Sequence, residues 1–351
     1  MSSPSSPARN RPSRWAWPLG LAVTAAFLVW AVHGVDMREV LAEVRRADPL
    51  LILAAAGVAT LTFPLRTLRW RVLLRDVDGH RYPLRPLWDA TAIGFMANNL
   101  LPARAGEFAR AWVVSRHLPV RFTTALASIG VERVFDGLTM LGLMAVAIAA
   151  PSFPSHATVH GTSVSRVAMG AAIVFGVVLL LALVVVHRPA PWVAVFDRIA
   201  RAILPARAAA RATSVVEGLV AGLAALKSPA RFAAVVVWSL ALWLVNAAAF
   251  VLCFRAFGLP VPAEGALLLQ GLIGFGVAIP SAPGFWGVFE GATRLTLQFY
   301  GIGANLALAY AFAFHIAGFI PITLLGLGAL SRAHLHLKDL RGAAATPEST
   351  A

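Results

Sequence analysis

Two stretches of this chain, Trp15 to Val35 and Phe232 to Phe254, contain no Asp, Glu, Lys or Arg. A helix needs about 20 mostly apolar residues to cross a bilayer, and both stretches meet that length. The same reading predicts spans at 15–34, 50–68, 122–149, 166–187, 231–255 and 305–331. Charged residues make up 13% of the chain, against roughly 25% in soluble domains. That is too little charge to solvate a surface of this size. The fold class expected is therefore all-α, a polytopic transmembrane helical bundle.

The charges that remain set the orientation. Cytoplasmic loops carry an excess of Lys and Arg. The Arg-rich arm at 1–14, a segment from 66 to 88 holding Arg66, Arg69, Arg71, Arg75, Arg81 and Arg85, and a basic stretch at 188–231 read as inside. The mixed-charge loop 35–49 and the uncharged loop 151–165 read as outside. Both termini are then cytoplasmic, in an inner (plasma) membrane. The arm is read as disordered, 15–331 as one transmembrane domain with halves at about 15–150 and 165–331, and 332–351 as a cytoplasmic tail. Part of 188–231 reads as an amphipathic helix lying on the anionic leaflet. The first apolar run is too long for a signal-peptide core and lacks a small-residue cleavage site, so it is read as an uncleaved span.

The net charge of +14 follows from these loops, so no nucleic-acid partner is expected. The single cysteine, Cys253, lies in an apolar run and reads as a small buried hydrophobe. No nucleotide loop, zinc spacing or nucleophile elbow is present, and no metal or cofactor is expected.

Two apolar segments differ from the spans. Ala90 to Ala103 is short and is interrupted by Pro102 and Gly106; Gly265 to Phe289 is cut by Pro280, Pro283 and Gly284. The loop charges place the chain inside on both sides of the first and outside on both sides of the second. Each therefore reads as a broken or re-entrant hairpin, entering from opposite faces. The order span, span, hairpin, span then occurs twice, as an inverted repeat of the kind transporters use. Pro102-x-x-x-Gly106 with Glu107 and Arg110 resembles Pro280-x-x-x-Gly284 with Glu290 and Arg294.

The candidate residues sit at these breaks. Backbone freed by Pro and Gly at membrane depth is tolerated only inside protein or beside a water-filled cavity. A helix restarting there points its positive end at the break, which favours an anion. Asn99, Arg104, Glu107 and Arg110 surround the first break, with Arg104, Glu107 and Arg110 spaced to share a helix face. Arg104 and Arg110 suit a phosphate head group, with Glu107 holding an arginine in place. Glu132, Arg133 and Asp136 open the next span. At the second break Glu290 is the first charge; a carboxylate at that depth costs about 2.5–3.5 kcal/mol and needs a partner, for which Arg294 lies one turn on. The plainer readings are a surface ion-pair ladder for the first group, an interfacial helix end for the second and an interfacial Glu–Arg pair for the third. Asn246 and His315, each in mid-span, read as interhelical hydrogen bonders, and His315 is the residue that could titrate near neutral pH.

On Asn99-Leu100-Leu101-Pro102-x-Arg104-x-Gly106-Glu107-x-x-Arg110, Glu132-Arg133-x-x-Asp136 and Pro280-Ser281-x-Pro283-Gly284-x-x-Gly287-x-x-Glu290, the chain resembles the lysylphosphatidylglycerol synthase transmembrane-domain family, also described as flippase-like. The resemblance covers roughly residues 20–331. It implies a membrane protein that handles lipids, with a phospholipid or isoprenoid-phosphate lipid as partner and the residues of the three motifs as its site. In full-length synthases such a domain looks like the part that moves the aminoacylated lipid between leaflets. No soluble synthase domain is recognised here, so lipid synthesis is not carried over. Three functions compete: a lipid translocator, an intramembrane transferase using Glu107, Glu132 and Asp136 as acid–base groups, and a non-catalytic scaffold for a neighbouring lipid or glycan biosynthetic enzyme.

Overall fold

Asp36 and Asp48 each start a helix. Their side chains accept hydrogen bonds from the amides of Arg38 (2.8 Å), and of Leu50 and Leu51 (2.8 and 3.2 Å), donors that a helix start leaves unpaired. Pro49 then occupies the first helical position, where its missing N–H costs nothing. A computed structural model describes residues 16–75, 79–101, 104–155, 189–206, 228–278 and 282–340, with isolated positions between 158 and 177 and between 208 and 217. The arm, most of the span expected at 166–187, the breakers Pro102 and Pro280, and the tail from 341 lie outside the described residues.

The described helices are α1 (Ala16–Val32), α2 (Met37–Arg46), α3 (Pro49–Leu73), α4 (Leu84–Leu100), α5 (Ala105–His117), α6 (Phe122–Ala149), α7 (Pro189–Ile203), α8 (Pro229–Ala256), α9 (Ala263–Ala278), α10 (Val288–Phe299) and α11 (Ala304–Arg332). A two-residue antiparallel pair joins Thr158–Val159 to Thr162–Ser163. By length and composition α3, α8 and α11 are long and apolar enough to cross a membrane. The protein is a multi-pass helical bundle. The amphipathic helix expected in the basic segment is α7, which exposes Trp192, Val195, Phe196, Ile199 and Ile203.

Two expectations change. The stretch 35–49, expected as a loop, contains a short amphipathic helix, α2, packed on α11. The basic segment read as a loop from residue 66 begins inside α3, which continues to Leu73. Its first arginines are buried rather than cytoplasmic, because carboxylates meet them inside the bundle.

The two broken segments form helical hairpins, α4–α5 and α9–α10. Their second helices, of 13 and 12 residues, reach about 18–20 Å at 1.5 Å per residue, short of the ~30 Å hydrocarbon core. The packing of the two halves is twofold. With α3, α4, α5 and α6 matched to α8, α9, α10 and α11, each principal helix contact has its counterpart. The helices α3 and α8 pack on each other; α4 packs on α11 as α9 packs on α6; and each hairpin leans on the helix that follows it. The halves thus exchange their hairpins across the centre.

Small residues let these helices approach. A Cβ on Gly106 would stand 1.9 Å from the Gly94 carbonyl oxygen, and one on Gly326 would stand 2.3 Å from the Met96 Cβ. Gly137, on α6, has nothing within 4 Å of such a Cβ. Gly106→Ala is expected to destabilise the detergent-solubilised protein by about 1–3 kcal/mol through overpacking, whereas Gly137→Ala leaves its thermal unfolding midpoint within a degree or two. Equal shifts in the two variants would show that the first hairpin does not close on Gly106.

Candidate functional site

Seven charges meet where α3, α5, α6 and α8 converge. Arg69 on α3 is 0% exposed, as is Glu132 on α6. Arg69 donates through Nη1 to Asp136 Oδ1 at 2.6 Å and to Ser239 Oγ at 2.9 Å, and its Nε lies 3.8 Å from Glu132 Oε1. Arg110 on α5 donates through Nη1 to Glu132 Oε2 at 2.5 Å. Arg66 and Arg133 approach Asp136 Oδ2 at 3.5 and 3.3 Å, and Arg133 Nε stands 3.8 Å from Glu107 Oε1. Trp243 on α8 donates its indole N–H to Asp136 at 3.0 Å.

Aromatic faces hold the guanidiniums. Trp70, fixed by an N–H bond of 2.8 Å to Ser128 Oγ, places its ring centroid 3.7 Å from the Arg110 Cζ. Phe95 and Trp243 each lie 5.1 Å from the Arg66 Cζ. Such contacts are worth most to a desolvated cation.

The cluster contains four arginines and three carboxylates, an excess of one positive charge. Among the described residues several donors are also unmatched: Arg66 Nε and Nη1, Arg69 Nε and Nη2, Arg110 Nε and Arg133 Nε are buried without a hydrogen-bond acceptor, against one unmatched acceptor, Asp136 Oδ2. Buried polar groups are normally satisfied. A small pocket lined by Phe95, Asn98, Glu107, Arg110 and Arg133 adjoins the last two of these arginines; Arg66 and Arg69 do not line it. Positive excess, unmet planar N–H groups and an adjoining cavity together suit a phosphate or other oxyanion.

Other predicted residues go elsewhere. Arg104 leaves the Arg110 face. As the left-handed N-cap of α5 (φ 53°), it reaches the second hairpin, bonding the Val277 carbonyl on α9 and standing 6.0 Å from the Phe285 ring. Asn99 donates to Thr323 Oγ1 on α11 at 2.9 Å. The second amide of α5 is not open to a ligand, because Asn98 Oδ1 accepts the Gly106 N–H at 2.9 Å. An anion would meet the arginines rather than the helix end.

Glu290 is fully buried, but its partner is not Arg294. Its Oε1 lies 2.6 Å from His315 Nδ1, and its Oε2 accepts the Gly287 N–H at 2.6 Å. His315 Nε2 lies 2.8 Å from the carbonyl oxygen of Gly284, at the left-handed turn (φ 72°) after Pro283. Trp286 stacks on the imidazole with centroids 4.3 Å apart. Arg294 turns to the end of α1, donating to the carbonyls of Trp30, Ala31 and His33 at 2.8, 2.7 and 3.0 Å. The helix-end carbonyls, left unpaired by α1, hold it there. Asn246 bonds Gln270 across α8 and α9 at 3.3 Å.

Sequence reasoning undervalued Arg66 and Arg69 as topology signal and missed Ser239 and Trp243. The available signal was spacing: Arg66, Arg69 and Trp70 share a face of α3, as Ser239 and Trp243 share one of α8.

Fold and site define a multi-pass membrane protein with a buried arginine-rich centre between two exchanged hairpins. The chain belongs to the family described as lysylphosphatidylglycerol synthase TM region, which matches residues 17–326. It is 30% identical over 302 residues to the glycosyltransferase AglD of Haloferax volcanii, an alignment covering 77% of this chain and 47% of that protein. The chain thus spans about half the length of that relative. It is 23% identical over 325 residues to a UPF0104 membrane protein of Methanothermobacter thermautotrophicus, covering 88% of this chain and 90% of that one.

Removing one member of a buried ion pair costs about 3–5 kcal/mol, whereas an apolar pair of similar volume is often neutral. Glu132→Leu should therefore lower stability by that amount, and Arg110→Met combined with Glu132→Leu should recover most of the loss in a chemical-denaturation series. A double variant no more stable than Glu132→Leu alone would show that Arg110 draws its support from elsewhere.

Proposed function

We propose that this protein moves a phosphate-bearing lipid between the leaflets of its membrane, holding the head group at the arginine cluster while the acyl or isoprenoid chain stays in lipid. The observation that carries this reading is the set of buried guanidinium N–H groups without acceptors, in a cluster with one surplus positive charge. A surplus buried charge is costly in a membrane; a bound phosphodiester or phosphomonoester would offset it and supply acceptors. The hairpin tips touch through Arg104 and the second break, so a head group leaving the cluster would next meet Glu290 and His315. Membership of a family named for a lipid synthase supports lipid as the class of substrate.

A second reading is favoured by the similarity to a glycosyltransferase: the chain would assist sugar transfer to or from a membrane lipid. It keeps the phosphate site but assigns no movement between leaflets.

Reconstitution separates the two. Liposomes of phosphatidylethanolamine and phosphatidylglycerol carrying fluorescent (NBD) phosphatidylglycerol would be bleached from outside by dithionite. The protein should expose the inner-leaflet label faster than empty liposomes do. Arg66→Met, which removes a guanidinium with two unmatched N–H groups, should slow this by about tenfold, the equivalent of one charged hydrogen bond of ~1.4 kcal/mol. Flux equal to that of empty liposomes would count against translocation of this lipid and favour the transfer reading.

A further inference from the structure

The twofold match of the halves extends to single side chains. Glu107 is the third residue of α5, and Glu290 is the third of α10. Each faces a basic side chain at the twelfth position of the next helix: Arg133 on α6 and His315 on α11. Both helices follow a left-handed N-cap, Arg104 (φ 53°) and Gly287 (φ 83°). The second pair is closer and more buried than the first, and it differs in chemistry. Arginine does not release its proton in proteins, whereas histidine titrates near neutral pH.

The surroundings of His315 fix how protons can sit. A carbonyl oxygen only accepts, so Nε2, 2.8 Å from the Gly284 oxygen, carries a proton. At 2.6 Å, Nδ1 and the Glu290 carboxylate share one more. Loss of that shared proton would leave a carboxylate, 0% exposed, facing a neutral ring nitrogen with no hydrogen between them.

The packed elements offer no substitute: α3 turns Arg66 and Arg69 to the carboxylates of α6 and Arg71 to the Tyr82 carbonyl, and α2 meets the start of α11 through Glu39 and Asn305. On α10, Arg294 is committed to the carbonyls ending α1. α1 itself contains no ionisable side chain. On α9, Glu264 lies at the opposite end, beside Tyr300. On α4, Asp89 pairs with Arg332 at the far end of α11. On α8, Arg231 and Arg255 stand at the two ends of the helix. The first hairpin contributes Arg104, bound to the Val277 carbonyl.

We infer that the Glu290–His315 pair is a proton-binding site, and that its proton is exchanged as a head group passes the second hairpin. The fixed charges of the first half would hold the phosphate, and the titratable pair of the second would couple its passage to a proton. In balance, one proton leaves the Nδ1–Oε1 bond to solvent and one returns; no bond to the lipid forms or breaks. The coupling rests on the translocation reading above, whereas the proton site does not.

Two measurements test this. The first records ring-nitrogen NMR signals of 15N-histidine-labelled protein in lipid nanodiscs from about pH 5 to about pH 9. The His315 signals are assigned by their absence from His315→Gln. Both nitrogens should be protonated at the acid end, with the Nδ1 proton lost within the range. A single neutral tautomer throughout would overturn the site. The second follows NBD-phosphatidylglycerol flux in the liposomes above over the same range. In the wild type it should vary by up to about tenfold per pH unit through that titration, as for one essential proton. In His315→Arg, which reproduces the cation of the first half, it should not vary. A titrating His315 with pH-independent wild-type flux would overturn the coupling. A titrating His315 with no flux at any pH would overturn both translocation and coupling and leave the proton site standing.

Discussion

Asp136 is the hinge of this structure. It is 2% exposed, yet three arginines from α3 and α6 and an indole from α8 converge on its two oxygens. Charged residues at membrane depth are tolerated when they pair with one another inside the bundle. The requirement runs both ways. Arg66 and Arg69 can lie in α3 because Asp136 and Glu132 reach them from α6. Those carboxylates can in turn lie in α6 because the arginines do. The contact of α3 with α8, at the centre of the twofold packing, is thereby tied to α6 through Ser239 and Trp243. The first hairpin is locked in by the Arg110–Glu132 pair.

The halves use one scaffold for two kinds of chemistry. In the first, guanidiniums outnumber carboxylates and retain unmatched donors, a standing demand for an anion. In the second, the corresponding glutamate faces an imidazole wedged between Trp286 and Phe289. One twofold scaffold thus carries unlike chemistry in its two halves.

Much of this organisation was legible in the sequence. The Pro and Gly breakers marked both hairpins, because interrupted apolar runs cannot continue as one helix. The matched Pro-to-Gly spacing marked the repeat. Glu107, Arg110, Glu132, Arg133 and Asp136 were identified by charge at the edges of apolar runs, and they do meet. What was not legible was the pairing. The partner of Arg69 lies 67 residues away and that of Glu290 lies 25 away, so Arg294, one turn on, seemed the natural choice by local rules. Arg66 and Arg69 carried the same signature as cytoplasmic loop arginines, since a helix end and a loop differ only in what packs against them. Ser239 and Trp243 shared a helix face within an apolar run, but that spacing does not say which carboxylate packs against it.

The central claim is that the arginine cluster holds a lipid phosphate. Native mass spectrometry of the protein released from its own membrane, with Arg66→Met and Arg133→Gln beside the wild type, tests it most directly. A phospholipid or isoprenoid phosphate retained by the wild type and lost from both variants is the result this account predicts. The same lipids on all three proteins, or none on any, would contradict it.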